Sequence, residues 1–379
     1  MLRLAVIFES SPFDRKGLFN AVHNRVKGLL GSGECWVDAY CIHSKDNFLT
    51  RRLRHTVYAP HMESVEIESI TYRILWYDFS IIDNLLLEKF GCRPHYFPKF
   101  INAYVDYLKE YDYVIAHSFT GGLFAYEAMQ RFGIPYFVTW HGSDVHTHPW
   151  RVDVIREDTK RVMESAKCNF FVSRALLDAS EKITSNASKE VLYNGVSEAF
   201  VRFDDNERQK ARERFGIASD VKVVAFAGNL VPVKNVLVLP HIFKAVAELY
   251  SNPVRFVIAG DGKLRKQLES DKTITLLGNV AAEDMPALMN CVDVLVLPSL
   301  NEGLPLVCAE ALNCGANVVG SDVGGIAEVI GKQNVVPLGD DFVPQMAMKI
   351  VAMLNDKPQQ SVPEDISWTK TTSREISFF

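Results

Sequence analysis

The sequence predicts an α/β protein made of two doubly wound, mostly parallel sheets, and three observations carry that expectation. Short apolar runs alternate with longer amphipathic ones, the pattern of strands covered on both faces and joined by crossover helices. The alternation lapses around Asn194–Asp205, where an Asn-Gly pair precedes acidic and polar residues without periodicity, and it restarts at Lys222. A length of 379 residues also exceeds one ordinary domain, so two of roughly 150–200 residues are expected.

In chain order, Leu2–Phe8 reads as the first strand. Its apolar run of about five residues is too short for a signal-peptide core. Further strands are expected at Val37–Ile42, Tyr113–His117, Tyr136–Trp140 and Asn169–Val172, with helices over Leu18–Leu30, Leu123–Phe132 and Asp153–Ser165. The aromatic-rich stretch His55–Pro98 is less regular and reads as an insertion or cap. In the second half strands are expected at Lys222–Phe226, Arg255–Ala259, Ile274–Leu277, Val292–Leu297 and Asn317–Gly320. Helical windows lie around Ala245, Leu268, Leu288 and Glu310. The division expected is 1–198, 199–362 and a C-terminal segment 363–379. Open α/β sheets bind ligands outside the carboxyl ends of their strands, so the expected site is a cleft between the two domains.

Composition narrows the function classes. A net charge of −5 argues against a dedicated nucleic-acid binder. The basic run Arg51-Arg52-Leu53-Arg54 reads as a solvated face, with peripheral contact to an anionic membrane as the alternative. Seven scattered cysteines without CxxC spacing suit a reducing compartment better than disulfides or zinc. No stretch approaches the roughly 20 apolar residues of a membrane span. The expected location is therefore the cytoplasm, at the inner face of the membrane if the basic run engages lipid.

The most informative segment is Val292–Ile330, VDVLVLPSLNEGLPLVCAEALNCGANVVGSDVGGIAEVI. A buried strand ends at Pro298, a loop carries Glu302 and Gly303, and a helix is expected to start near Pro305. Backbone N–H groups there, such as those of Leu304 and Leu306, have no intrahelical partner and, with the helix dipole, suit a phosphate. Gly303 lets an anion approach its backbone. Glu310, one to two turns on, can accept hydrogen bonds from both hydroxyls of a ribose. With 46 acidic residues in the chain, two glutamates eight apart mean nothing alone. The strand–loop–helix–glycine–strand–Gly-Gly context gives them meaning.

Here the sequence resembles the group-1 (family 4) retaining glycosyltransferases of the GT-B fold, whose hallmark is two glutamates separated by seven residues, a Cys-Gly turn and a Gly-Gly loop. Glu302 and Glu310, Cys314-Gly315 and Gly324-Gly325 match in order and spacing. The resemblance implies two Rossmann-like domains facing a central cleft, with a C-terminal helix crossing back to the first. It also implies that Glu302 contacts the transferred sugar and that Glu310 holds the ribose. In Ala227–Val236, AGNLVPVKNV, Lys234 stands at the lysine that commonly neutralises the diphosphate, while Asn229 replaces the typical arginine. Leu276–Val280, LLGNV, is similar to the base-binding turn and brings in Asn279 and Val280. Gly260-Asp261-Gly262 lacks the third glycine of a dinucleotide loop and reads only weakly as one.

The first domain is less similar. Lys16-Gly17 retains one glycine of a Gly-Gly loop, so Gly17 is carried over as a backbone donor to the diphosphate. His141-Gly142 matches the His-Gly placed beside the donor sugar. His146 and His148 follow closely, but no carboxylate spacing supports a metal, and none is expected; nor is any other cofactor. Asp144 reads as a cap, Ser173 as a cleft candidate. Trp368, Phe378 and Phe379 are the expected anchors of the C-terminal segment, a frayed tail being the alternative. The family's chemistry is displacement at an anomeric carbon with a nucleoside diphosphate leaving, so catalysis is assigned to His141, Glu302 and Lys234. The implied partners are a UDP- or GDP-sugar and a glycan or lipid-linked acceptor, in surface polysaccharide or glycoconjugate synthesis. A nucleotide-sugar 2-epimerase on the same fold and a non-catalytic member, the latter suggested by Asn229, stay open.

Overall fold

The computed structural model describes residues 1–13, 17–45, 59–356 and 360–379. Lys16, the basic run 51–54 and the first residues of the 55–98 segment lie outside them. The chain forms two compact units, Met1–Asn194 with Trp368–Phe379, and Gly195–Ser367.

In the first unit the strands are β1 (Leu2–Glu9), β2 (Cys35–Lys45), β3 (Ser64–Ile67), β4 (Ile70–Asp78), β5 (Tyr113–His117), β6 (Tyr136–Trp140), β7 (Cys168–Phe171) and β8 (Lys189–Val191). They lie in the order β3-β4-β2-β1-β5-β6-β7-β8, parallel throughout except for the β3–β4 hairpin. The centre of β1 is sealed on both faces, with Leu4, Ala5, Ile7 and Phe8 wholly buried, as a central parallel strand requires. The strand order reverses between β1 and β5, which opens a crevice at their carboxyl ends.

The 55–98 segment is not an insertion. Its described part supplies β3 and β4, and β4 pairs in parallel with β2 from Tyr72 opposite Ala39 to Asp78 opposite Lys45. The period-2 signal was present, with Ile70, Tyr72 and Ile74 buried and Thr71 and Arg73 exposed. It runs straight into Leu75-Trp76-Tyr77, whose unbroken apolar character hides the alternation.

The C-terminal segment is ordered as a helix, Trp368–Ile376, against the helix Gly17–Gly31. A Cβ on Gly28 would lie 2.1 Å from Thr372 Oγ1, so the close approach depends on that glycine. Within the contact Arg25 Nη1 lies 3.4 Å from Glu375 Oε1, both side chains essentially fully buried. Arg25 also donates to Thr139 Oγ1 at 2.7 Å and to the Leu192 carbonyl at 3.2 Å. Phe378 and Phe379 pack on Phe170 and Phe137 at ring distances of 5.0 and 5.3 Å. These are two of the three expected anchors.

The second unit holds β9 (Lys222–Ala227), β10 (Val254–Ala259), β11 (Ile274–Gly278), β12 (Val294–Leu297), β13 (Asn317–Ser321) and β14 (Val335–Val336). All pairings are parallel, in the order β11-β10-β9-β12-β13-β14. This is the doubly wound order of dinucleotide-binding folds, with its switch point between β9 and β12.

Candidate active site

Parallel strands present their carboxyl ends along one edge, and the second unit collects there the residues that the sequence separates widely. Asn229 follows β9, Asn279 and Val280 follow β11, and Glu302 follows β12. The loops after β9 and β12 are tied by Leu300 N–H donating to the Val233 carbonyl at 2.8 Å. That contact brings Lys234 Nζ within 2.6 Å of Glu302 Oε1. Ser299 Oγ donates to the same carboxylate oxygen at 2.6 Å, and the Ser321 hydroxyl donates to the Ser299 carbonyl. A side chain at Gly324 could not coexist with this loop, because its Cβ would fall 1.9 Å from the Glu302 carbonyl oxygen. The Gly-Gly loop therefore closes backbone to backbone on the glutamate loop, with Gly325 N–H donating to Gly303 O at 3.1 Å.

The helix after this loop runs Leu306–Asn313 with Pro305 as its N-cap. The sequence alone predicts Pro305 inside the first turn. Its extended backbone (ψ 92°) instead leaves it just outside, and Leu304 is a loop residue. The Leu306 N–H stays among the first-turn donors without an intrahelical partner, next to Gly303 and the Lys234–Glu302 pair. Glu310 sits in the second turn, half-buried, and its carboxylate has no hydrogen bond or ion pair among the described residues. Desolvation alone pushes its pKa up to about 7. A desolvated carboxylate one turn from a helix start with free backbone N–H groups is chemically suited to paired hydroxyl donors.

In the first unit Gly17 opens the helix Gly17–Gly31, with left-handed backbone (φ 32°) and open space where a Cβ would stand. His141 follows β6, and its backbone N–H and that of Gly142 donate to Asp144, the latter at 2.8 Å. Asp144 thus caps this turn. Ser173 instead serves locally, buried and accepting from Leu176 N–H at 3.2 Å as a helix N-cap.

His117 is a residue that sequence reading passed over. It ends β5, and its Nδ1 lies 3.0 Å from His141 Nε2, with the rings stacked at 5.3 Å. Burial, then the neighbouring Arg25 charge, lowers His141 to about 3; burial, His141 and Arg25 hold His117 well below its ordinary value. Both imidazoles are therefore neutral, one donating and the other accepting. Ser118, next along the chain, has φ of 62°, a turn that non-glycine residues rarely adopt and that often marks functional sites. A histidine ending a parallel strand was the available signal. Ser299 was equally legible, as the polar residue that follows Pro298.

Among the described residues no group of three or more His, Cys, Asp or Glu is arranged to hold a metal ion. No helix among them is long and apolar enough to cross a membrane.

Residues 47–200 match the family described as glycosyltransferase family 4, and residues 221–356 match glycosyl transferases group 1. A teichuronic acid biosynthesis glycosyltransferase of Bacillus subtilis is 32% identical over 201 residues, 52% of this chain and 50% of that protein. A D-inositol 3-phosphate glycosyltransferase of Corynebacterium efficiens is 25% identical over 311 residues, 71% of each. The chain thus spans only half the length of the first of these relatives. Among solved structures, a sucrose-phosphate synthase from Thermosynechococcus elongatus superposes with a TM-score of 0.73 at 17% identity, over 99% of this chain and 92% of that one. An Anabaena protein in complex with UDP and glucose gives 0.68 at 17% identity, over 100% and 95%. The doubly wound sheets, the glutamate and glycine pattern around Glu302 and the two family matches converge: the chain belongs to the group-1, family-4 glycosyltransferases of the GT-B fold.

Proposed function

We propose that this chain moves a sugar, with retention of anomeric configuration, from a UDP- or GDP-sugar to a glycan or lipid-linked acceptor in surface polysaccharide or glycoconjugate synthesis, on the cytoplasmic side of the membrane. The observation that carries the donor half is the cluster at the β9–β12 switch point: Lys234, Glu302, the Leu306 helix start and, one turn on, Glu310. In this reading the diphosphate meets Lys234 and the helix N-terminus, the ribose hydroxyls donate to Glu310, and Asn279 and Val280 meet the base. Gly17 offers a backbone N–H to the diphosphate, and Asn229 leaves the cationic work to Lys234.

As the anomeric C–O bond breaks, negative charge develops on the leaving phosphate, where a cation and fixed backbone dipoles stabilise it most. A retaining hydrolase would use a carboxylate nucleophile paired with an acid, and the sequence offers no convincing one. The acceptor hydroxyl is therefore assigned to attack from the leaving-group face and to pass its proton to the departing phosphate. Glu302 and His141 orient the sugar. The names of the Bacillus relative and of the UDP-bound Anabaena structure favour UDP and a surface polymer.

Calorimetry with UDP and GDP on Glu310→Ala tests the ribose assignment, and unchanged affinity for both would sink it. Transfer from a panel of UDP-, GDP-, ADP- and dTDP-sugars, with donor-only incubations followed by NMR, separates transfer from epimerisation. Donor hydrolysis that disappears in His141→Ala would rule out a non-catalytic member.

A further inference from the structure

Within the first unit a cavity of about 170 Å³ opens beside the switch point between β1 and β5. Its walls are largely apolar and aromatic: Tyr77 and Tyr96 stack at 5.3 Å with an interplanar angle of 14°, and Phe97, Phe100, Phe119 and Leu123 line the rest. One end is a carboxylate. Glu9, the last residue of β1, accepts from Tyr77 OH through Oε1 at 2.9 Å and from Thr120 Oγ1 through Oε2 at 2.6 Å. Each oxygen so engaged keeps a second acceptor position, so the pair of hydroxyls fixes the carboxylate without exhausting it. The other end opens to solvent past Arg93, which grips Asp158 through two nitrogens, Nε at 3.1 Å and Nη2 at 2.5 Å.

Size and chemistry select the occupant. An apolar cavity of about 150 Å³ holds a single benzene ring, so this one has room for one six-membered ring. Stacked aromatic walls favour the flat apolar face of such a ring. The carboxylate calls for a hydroxyl donor on its edge, and burying that carboxylate against a ring without one would waste its free acceptor positions. We infer that this cavity is a binding site for a ring-shaped alcohol, one apolar six-membered ring bearing a hydroxyl that donates to Glu9. Resting on the proposed transfer reaction, the inference makes that ring part of the acceptor.

The test uses the full chain and three probes: benzyl alcohol, toluene and myo-inositol, with binding followed by saturation-transfer NMR. Benzyl alcohol is expected to bind saturably, about tenfold more tightly than toluene, since one hydrogen bond to a charged group separates them. Myo-inositol, which lacks an apolar face, is expected to bind more weakly than benzyl alcohol. Leu123→Trp fills the cavity and should abolish benzyl alcohol binding while UDP affinity, a readout of the second unit, stays unchanged. Val154→Trp, from a part-exposed lining position on a helix, gives an independent block if the first variant does not fold. Glu9→Gln should shrink the preference for benzyl alcohol over toluene. Retained binding in both tryptophan variants, absence of saturable binding in the wild type, or equal affinity for toluene would overturn the inference. Intact probe binding with no sugar transfer to any alcohol would instead count against the proposed reaction.

Discussion

Glu310 and His141 are desolvated groups whose protonation is set by what surrounds them, and each makes a prediction of opposite sign. Glu310 titrates near 7, above the ordinary 4.5, so its folded state favours the proton. Its contribution to stability is present at low pH and lost as pH rises from about 4.5 through about 7. Glu310→Gln should therefore raise the unfolding midpoint above pH 8 and leave it almost unchanged below about pH 4. Under the proposed ribose assignment, the ionised carboxylate is the form that would accept from the hydroxyls. UDP affinity measured by calorimetry should thus rise from about pH 6 to about pH 8 in the wild type, and the rise should vanish in Glu310→Gln. His141 titrates at about 3, below its ordinary 6.5. Its contribution is present above about 6.5 and is lost as pH falls toward about 3. Urea titrations across that window should show less acid destabilisation in His141→Gln than in the wild type. Lys234→Ala should lower turnover by about 10²–10³-fold, the usual scale for removing one stabiliser of developing charge, with donor KM changing far less.

The C-terminal helix is held to the first unit by a buried ion pair joining residues 350 positions apart in the chain, together with the glycine gap at Gly28 and the aromatic contacts of Phe378 and Phe379. Desolvation is the dominant influence on both charges, lowering the pKa of Arg25 and raising that of Glu375. Removing one partner leaves the other buried and unpaired, so Glu375→Ala should cost about 3–5 kcal/mol in denaturant unfolding. The double variant Arg25→Met, Glu375→Leu replaces the pair by apolar groups and should recover most of that loss. A double-mutant cycle reads the coupling directly, and additive losses would show that the pair does not act as a unit. Gly28→Val forces the helix off Thr372 and should destabilise by about 1–3 kcal/mol.

At the scale of the molecule, the proposed assignment of the nucleotide to the second unit predicts that the two units respond separately. Truncation before Trp368 strips the partners of Arg25, Phe137 and Phe170 in the first unit but removes no residue of the β9–β14 sheet edge. Its unfolding should begin at a lower temperature, while UDP affinity stays within about twofold of the full chain. A large loss of UDP binding on truncation would contradict the assignment of the nucleotide to the second unit. For the same reason UDP at about 100 times its dissociation constant should stabilise the unit that binds it by about 2.7 kcal/mol.

Most of the second unit was legible from sequence because its information is local. Each parallel strand is a short apolar run, and the glutamates, Pro305 and Gly324-Gly325 lie within one strand–loop–helix–strand passage whose spacing alone fixes their sheet edge. The first unit was legible as alternating elements, but not in its margins. The alternation in β4 merges with Leu75-Trp76-Tyr77, so a strand of the central sheet reads as an irregular insertion. Contacts across long sequence separations were not legible at all. Periodicity states which face of an element is buried, not which distant residue meets it, so the sequence could name His141, Lys234 and Glu302 but neither the His117–His141 contact nor the Lys234–Glu302 pair. The same limit hid the Arg25–Glu375 pair. Sequence by itself determined the fold class and the family; tertiary structure decided how charge is placed around Glu302 and Glu310. Burial and the approach of distant groups set protonation and hydrogen bonding, and only the folded chain brings those groups together.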